Sequence, residues 1–242
     1  MRDSRQGASP WQTARVVDIR RETARAKTFR LALASPSLHL AGQHYIVRLT
    51  APDGYSASRS YSVASAPDHT AEFELTVERL PGGEVSSFLQ DEVQIGDELE
   101  VRGPIGGWFV WDGDSPALLV GGGSGIVPLM AMLRLGRLRG RSDLVRLVVS
   151  VRSPEDLYYR DEVEGPETTV VYSRRAPPSF ARPPARLSAE DLIGALGPDG
   201  RPSGLTSYVC GSAGFAESAS QLVLGLGVPV ESIRVERFGP SG

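Results

Sequence analysis

Gly121-Gly122-Gly123-Ser124-Gly125-Ile126-Val127-Pro128 follows a short apolar run over 117–120 and opens a helical pattern that continues to about residue 138. Glycines let a backbone approach a pyrophosphate closely, and proline suits the first turn of a helix. The stretch is not the G-x-G-x-x-G fingerprint, because the place of the last glycine falls on Ile126 or Pro128, depending on where counting starts. A plain strand-to-helix turn rarely needs four glycines in five residues, so the loop reads as a binding loop. Downstream, strand-like runs at 144–151, 168–172, 207–210 and 233–236 are interleaved with helical stretches at 154–163 and 215–226. That alternation predicts a parallel sheet with helices on both faces. Upstream the pattern changes to short β-branched or alternating runs at 12–17, 27–34, 44–50, 58–63, 72–79 and 98–102. Turn formers such as Pro52-Asp53-Gly54 and Pro81-Gly82-Gly83 separate them. Six such runs predict a small antiparallel barrel, with one helix near 85–91. The change of pattern sets a boundary in Trp111-Asp112-Gly113-Asp114-Ser115-Pro116, between a unit at 11–112 and an α/β unit at 115–242. Residues 174–186, rich in Arg and Pro, read as a surface loop.

Composition narrows the chemistry. The 242 residues are 40% hydrophobic and 23% charged, enough apolar content for two modest cores. A formal net charge of −3 argues against a dedicated nucleic-acid binder, and no metal site is expected. One cysteine, Cys210, excludes an internal disulfide, a Cys-rich zinc site and a four-cysteine iron–sulfur cluster. The polar start of the chain carries no signal-peptide pattern and no run is long enough for a membrane span, so the expected compartment is the cytoplasm.

Two further clusters stand out. Arg59-Ser60-Tyr61-Ser62 lies in a predicted strand, and on its own residues reads equally as a barrel strand with one wet face. Gly83-Glu84-Val85-Ser86 opens the predicted short helix. Helix-start N–H groups, a hydroxyl and a nearby guanidinium suit a phosphate, although a capped helix after a Gly-Gly turn would look the same. Cys210 alone reads as a small buried apolar residue. Arg134, Arg137 and Arg141 recur at helical spacing, with Gly140 ending the helix before the last. They read as a solvated basic face or as a docking surface for an acidic carrier.

In order and spacing, R-x-Y-S at 59–62, G-x-x-S at 83–86, G-x-G-x-G-x-x-P at 121–128, Cys210-Gly211 and Glu236-Arg237-Phe238-Gly239 together resemble the ferredoxin–NADP⁺ reductase-like flavoprotein family. Gly103-Pro104-Ile105-Gly106-Gly107 and Val151-Arg152-Ser153-Pro154-Glu155-Asp156 extend the resemblance over most of the chain. It implies that 11–112 is a flavin-binding β-barrel domain and 115–242 an NAD(P)-binding domain. Arg59 would hold the flavin pyrophosphate, Tyr61 would pack on the flavin, and Ser60 belongs to the same segment. Ser62 would lie near flavin N5, and Thr76, Val77 and Glu78 would line the site through their backbone. Gly83, Val85 and Ser86 would bind the pyrophosphate, which favours FAD over FMN. Gly121, Gly123, Ser124 and Gly125 would approach the nicotinamide dinucleotide, with Cys210 and Gly211 beside its ring. Glu236 and Phe238 would lie near the flavin, and Ser62, Cys210 and Glu236 form the implied catalytic set. Ser173-Arg174 occupy the place where NADP-dependent members bind the 2′-phosphate, so NADPH is expected over NADH.

Two features depart from the family pattern. Gly122 and Ser124 stand where the family often has threonine, and Phe238 is followed by further residues where plant-type members end in tyrosine. The implied reaction is hydride transfer from nicotinamide C4 to flavin N5, followed by release of single electrons. With no iron–sulfur domain, the acceptor would be a separate protein such as ferredoxin or an oxygenase component, and the reductase a monomer. The other readings are a direct reductase of a haem protein, quinone or ferric chelate, and a non-catalytic electron-transfer subunit of a larger complex.

Overall fold

The computed structural model describes residues 9–198 and 200–238. The first half forms β1 (Trp11–Arg21), β2 (Ala26–Ala32), β3 (His44–Thr50), β4 (Ser56–Ser62), β5 (Glu72–Glu78) and β6 (Glu98–Ile105), with α1 (Glu84–Asp91) after β5. These strands make one antiparallel sheet in the order β4-β3-β6-β1-β2-β5. Alternation sends Phe73, Leu75 and Val77 of β5 into the barrel core, where Phe73 stacks on Tyr45 at 4.3 Å between ring centroids. The intervening Glu74 and Thr76 face outward. Strands β4 and β5 are the two free edges. They meet at a Val63–Leu75 bridge and an Ala64 N–H to Glu74 carbonyl bond of 2.8 Å. Along the rest of its length the seam carries no ladder between the two strands among the described residues.

The second half comprises β7 (Ala117–Gly122), α2 (Ile126–Leu138), β8 (Val145–Val151), α3 (Arg160–Val163), β9 (Thr168–Tyr172), α4 (Ala189–Leu196), β10 (Thr206–Ser212), α5 (Ala213–Gly225) and β11 (Ile233–Phe238). Its strands pair in parallel in the order β11-β10-β7-β8-β9. Successive residues of β7 serve opposite faces: Leu119 packs in the cluster with α2, Leu118 and Val120 in the one with α4 and α5. Strands covered on both sides read as continuous apolar runs, which is why this sheet was legible. Helix α2 is apolar almost all round because its outer side carries the barrel. Ala41, Ala64, Phe109 and Trp111 join the same cluster as Leu129, Met130 and Met132.

Four local differences from the sequence reading have physical causes. The stretch 154–163 is not one helix. A turn at Pro154–Asp156 gives way to extended Leu157, and Tyr159 adopts left-handed backbone with φ 53° before α3 begins. Helix α4 was missed because Ala189–Leu196 is short and adjoins the Pro-rich loop; a reciprocal capping box between Ser188 and Asp191 starts it. Trp111, at the head of the predicted boundary stretch, belongs to the core: it is buried and its indole N–H donates to the Ser115 carbonyl at 2.9 Å.

The arginines of α2 are the fourth correction, since Arg134 and Arg137 form neither a solvated face nor a docking surface. Arg134 bonds the Ala64 carbonyl at 2.9 Å, Glu74 at 2.7 Å and both oxygens of Glu162 at 2.9 and 2.7 Å. Arg137 bonds Glu167 at 2.6 Å. Arg134 is only 15% exposed, so removing it leaves Glu74 and Glu162 uncompensated in a partly dry interface. Arg134→Ala is expected to cost about 3 kcal/mol. In a thermal melt that is a fall in Tm of roughly 6–12 °C, and an unchanged Tm would refute the clamp.

Candidate functional site

On the barrel, the site residues follow the open seam. In β4, alternation puts Arg59 and Tyr61 on one side and Ser60 and Ser62 on the other. The Arg59 side chain is exposed, bonds only the Ser58 carbonyl at 2.7 Å, and has no carboxylate partner among the described residues. Tyr61 packs its ring on the barrel core, and burial holds its phenol neutral by raising its pKa. Ser62 is buried at the end of β4, two residues before Ala64, which packs against α2. Across the seam, the Val77 carbonyl accepts from the Gln90 side chain at 2.7 Å. Glu78 ends β5 half-buried, whereas the Thr76 hydroxyl is engaged by Thr28 and Tyr159. What Thr76 and Val77 offer a ligand is therefore backbone rather than side chain.

Helix α1 starts at Gly83 with no side-chain cap, leaving its first N–H groups without intrahelical partners. Val85 is buried in the barrel core. The Ser86 hydroxyl is spent locally, accepting from Leu80 N–H and donating to the Gly83 carbonyl, both at 3.2 Å. The Glu84 carboxylate accepts from the Tyr55 hydroxyl at 2.9 Å. An unpaired guanidinium on β4 and an uncapped helix start contacting β4 suit a diphosphate. The fit rests on main-chain N–H groups, not on the serine.

On the α/β side, two of the four glycines in the loop are demanded by packing and a third is tightly packed. A Cβ on Gly125 would lie 2.1 Å from the Cys210 carbonyl oxygen, and one on Gly122 would lie 2.5 Å from the Phe215 ring. Gly121 is confined by Leu129 and Ile126 at 3.1 and 3.3 Å. Gly123 differs: its φ is +55° and the space where a Cβ would stand is open. Together with the adjacent half-buried Ser124, it is where the loop leaves its backbone approachable.

Gly125 seats the loop on β10, where Cys210 is in register with Gly121 of β7 and Glu236 of β11. Parallel in-register neighbours point to the same face, so the Cys210 thiol and the Glu236 carboxyl stand side by side. That face is the one towards α2 and the barrel, with Phe238 packed against it. Burial raises the pKa of both groups, Glu236 to about 7, and the Glu236 charge pushes the thiol up further. The thiol is therefore no nucleophile, and the pair forms a low-charge wall. Gly211, φ +158°, keeps its Cα side clear for Phe215. Gly239, the last residue of the Glu-Arg-Phe-Gly motif, lies outside the described residues.

Two strands from β7, at the carboxyl end of the sheet, Ser173 and Arg174 follow β9. Their N–H groups bond the Val151 and Arg152 carbonyls at 2.8 and 3.0 Å. Arg175 pairs with Glu155, whereas exposed Arg174 has no side-chain partner among the described residues. Sequence reasoning did not find Glu22, Thr28 and Tyr159, which join the domains beside β5; only the doublet Tyr158-Tyr159 hinted at them.

An antiparallel barrel with an open seam and an exposed arginine on one lip, packed on a parallel sheet with a glycine loop at its carboxyl edge, is the architecture of a two-domain flavin and pyridine-nucleotide reductase. Comparison agrees. Residues 13–110 match the oxidoreductase FAD-binding domain family. The chain is 34% identical to ferredoxin–NADP reductase B of Sorangium cellulosum, over 96% of this chain and 98% of that protein. It is 31% identical to the ferredoxin–NAD(P)⁺ reductase component of the naphthalene 1,2-dioxygenase/salicylate 5-hydroxylase systems of a Ralstonia species, over 94% of this chain and 69% of that one. It spans about half the length of other relatives, such as 48% of the Pseudomonas putida flavohemoprotein. In fold it matches a Neisseria gonorrhoeae ferredoxin–NADP⁺ reductase solved with FAD and NADP. The TM-score is 0.80 at 22% identity, covering 94% of this chain and 98% of that one. The chain belongs to the ferredoxin–NADP⁺ reductase-like flavoprotein family and is an NAD(P)H-dependent flavoprotein reductase.

The Glu236 carboxyl gives a pH signature. The folded state keeps its proton up to about pH 7, while the unfolded chain releases it near the ordinary 4.5. Between those values the folded state binds more protons, so this group makes stability fall as pH rises. Glu236→Gln is expected to remove that slope. Thermal melts from pH 4.5 to 7.5 check it, and identical slopes in both proteins would refute the raised pKa.

Proposed function

We propose that this protein is a stand-alone reductase that draws electrons from NADPH through FAD and hands them singly to a separate carrier, a ferredoxin or an oxygenase component. Residues 11–112 would form the FAD domain and 115–242 the NADPH domain. The observation that carries the reading is the open β4–β5 seam. It bears an unpaired arginine, and the chain leaving it packs into the same apolar cluster as Cys210 and Phe238. Bound FAD supplies the conversion between a two-electron hydride and single electrons. The chain supplies positioning. Arg59 and the N–H groups at the start of α1 hold the diphosphate, and the backbone at 76–78 borders the ring site together with Tyr61 and Ser62. Cys210 and Glu236 line the nicotinamide side without adding a charge there below about pH 7, and Phe238 shields the same region. The Gly123 backbone receives the coenzyme, and Arg174 its 2′-phosphate.

Coenzyme choice follows from the chemistry after β9. Arg174 is an uncommitted guanidinium, and no carboxylate stands at 173–175 to pair with a free ribose diol. The relatives' names, NAD(P) in one and NADP in another, leave both coenzymes open, and this local chemistry favours NADPH. The reading takes the protein as a cytoplasmic monomer, which sedimentation of the purified chain tests.

Two measurements test the assignment. Chromatography of the cofactor released from the purified yellow protein should give FAD, and Arg59→Ala should lose the flavin while keeping the wild-type fold by circular dichroism. Recovery of FMN, or full retention of flavin in the variant, would overturn the diphosphate site. Arg174→Ala should raise the KM for NADPH about tenfold, the loss of one charge-assisted contact, and leave the KM for NADH within twofold. Equal weakening of both coenzymes would sink the 2′-phosphate site.

A further inference from the structure

One buried residue at the domain junction is used by neither cofactor site. Tyr159 is 3% exposed, sits between β8 and α3, and holds left-handed backbone, φ 53°, an unusual state for a bulky residue. That backbone turns its N–H onto Glu22 of the barrel at 2.9 Å. Its hydroxyl lies 2.5 Å from the Thr76 hydroxyl of β5, Thr76 is 2.7 Å from Thr28 of β2, and Thr28 donates to Glu22 at 2.7 Å. These contacts close a ring, and its direction is determined. An ionised carboxylate only accepts, so Thr28 donates to Glu22, Thr76 donates to Thr28, and Tyr159 donates to Thr76. Burial raises the phenol pKa and keeps that proton in place. Both ends of the tyrosine, main-chain N–H and side-chain O–H, are thus discharged into one carboxylate of the other domain.

We infer that Tyr159 is a positioning residue that fixes the nucleotide domain against β5, where the backbone borders the flavin site. The inference rests on the reductase reading above. Its phenol–Thr76 bond then sets how closely a bound coenzyme meets the flavin. Arg134 holds the domains together through charges. The Tyr159 ring holds their spacing, because a two-point attachment through a rigid aromatic leaves little freedom to slide. A misplacement of about 1 Å between reacting atoms can cost a hundredfold in rate. Losing the hydroxyl should therefore slow flavin reduction without changing what is bound.

The test uses Tyr159→Phe, Thr76→Val and the conservative Thr28→Ser, which keeps the hydroxyl of the ring, in the full chain as purified. Hydrogen–deuterium exchange on the resting protein should show about tenfold faster exchange at residues 157–163 and 72–78 in Tyr159→Phe and Thr76→Val, and wild-type exchange in Thr28→Ser. At saturating NADPH and equal flavin content, the first two should reduce flavin about tenfold more slowly with KM within twofold. Thr28→Ser should match the wild type, and the double variant Tyr159→Phe/Thr76→Val should be no slower than either single one. Unchanged exchange, or faster exchange with a wild-type reduction rate, overturns the positioning role, as does a slower rate explained by lost flavin. A wild-type protein whose flavin NADPH does not reduce overturns the reductase reading and the role with it. That failure is recognisable because the exchange pattern still reports the ring.

Discussion

Arg134 touches both lips of the barrel's open seam. Its guanidinium bonds the Ala64 carbonyl just beyond β4 and the Glu74 carboxylate of β5, while its other edge grips Glu162 of the α/β domain. Strands β4 and β5 are the unpaired edges of a six-stranded sheet, and an unpaired edge is normally closed or covered. Here the end of the seam is pinned by an arginine from the neighbouring domain, so barrel closure and domain packing are one event. Along the rest of the seam the two edges stay unpaired with each other among the described residues. Arg20 reinforces this junction through Glu22 at 2.9 Å. The cluster is costly to desolvate and stable only when complete, which ties the spacing of the two sheets to a network with few alternative arrangements.

The glycine loop shows the same division between packing and function. A sequence rich in glycine at a strand-to-helix turn invites the conclusion that every glycine serves a phosphate. Two of the four are instead required by the protein's own contacts, Gly125 against β10 and Gly122 under Phe215, and Gly121 lies tight against α2. Only Gly123 combines positive φ with open space. Close packing of α2 on β7 and β10 is what brings the loop over Cys210, and so what relates a ligand at Gly123 to the wall made by Cys210 and Glu236.

How much of this was legible depended on whether the information was local. The two sheets were, because half-buried barrel strands alternate and doubly covered parallel strands run apolar without a break. Cys210 and Glu236 could be named from motifs, but their register on adjacent strands could not. Helix α4 escaped since eight residues beside a Pro-rich loop carry little periodic signal. Tyr159 escaped for a deeper reason: its left-handed backbone is stabilised by Glu22, 137 residues away, and no local pattern encodes such a partner. The α2 arginines were misjudged the same way, their spacing visible and their carboxylates not.

In a chain where almost every basic residue is arginine, residue type cannot separate a structural cation from a ligand-binding one. Partnership identifies the structural ones. A guanidinium with several satisfied donors is committed, and moving it onto a ligand would strand a carboxylate; Arg134 and Arg137 are in that state. Arg175 belongs with them through Glu155. Arg59 and Arg174 are exposed, lack acidic partners among the described residues, and stand at the barrel seam and beyond β9. Leaving a full cation unneutralised at those two places costs the protein little in water, and it keeps most of the donors available to an anion, Arg59 giving one to the Ser58 carbonyl. Carboxylate pairing thus marks the arginines that build the scaffold. Exposed Arg21 and Arg201 also have no acidic partner among the described residues, so it is their position, at the seam and beyond β9, that singles out Arg59 and Arg174.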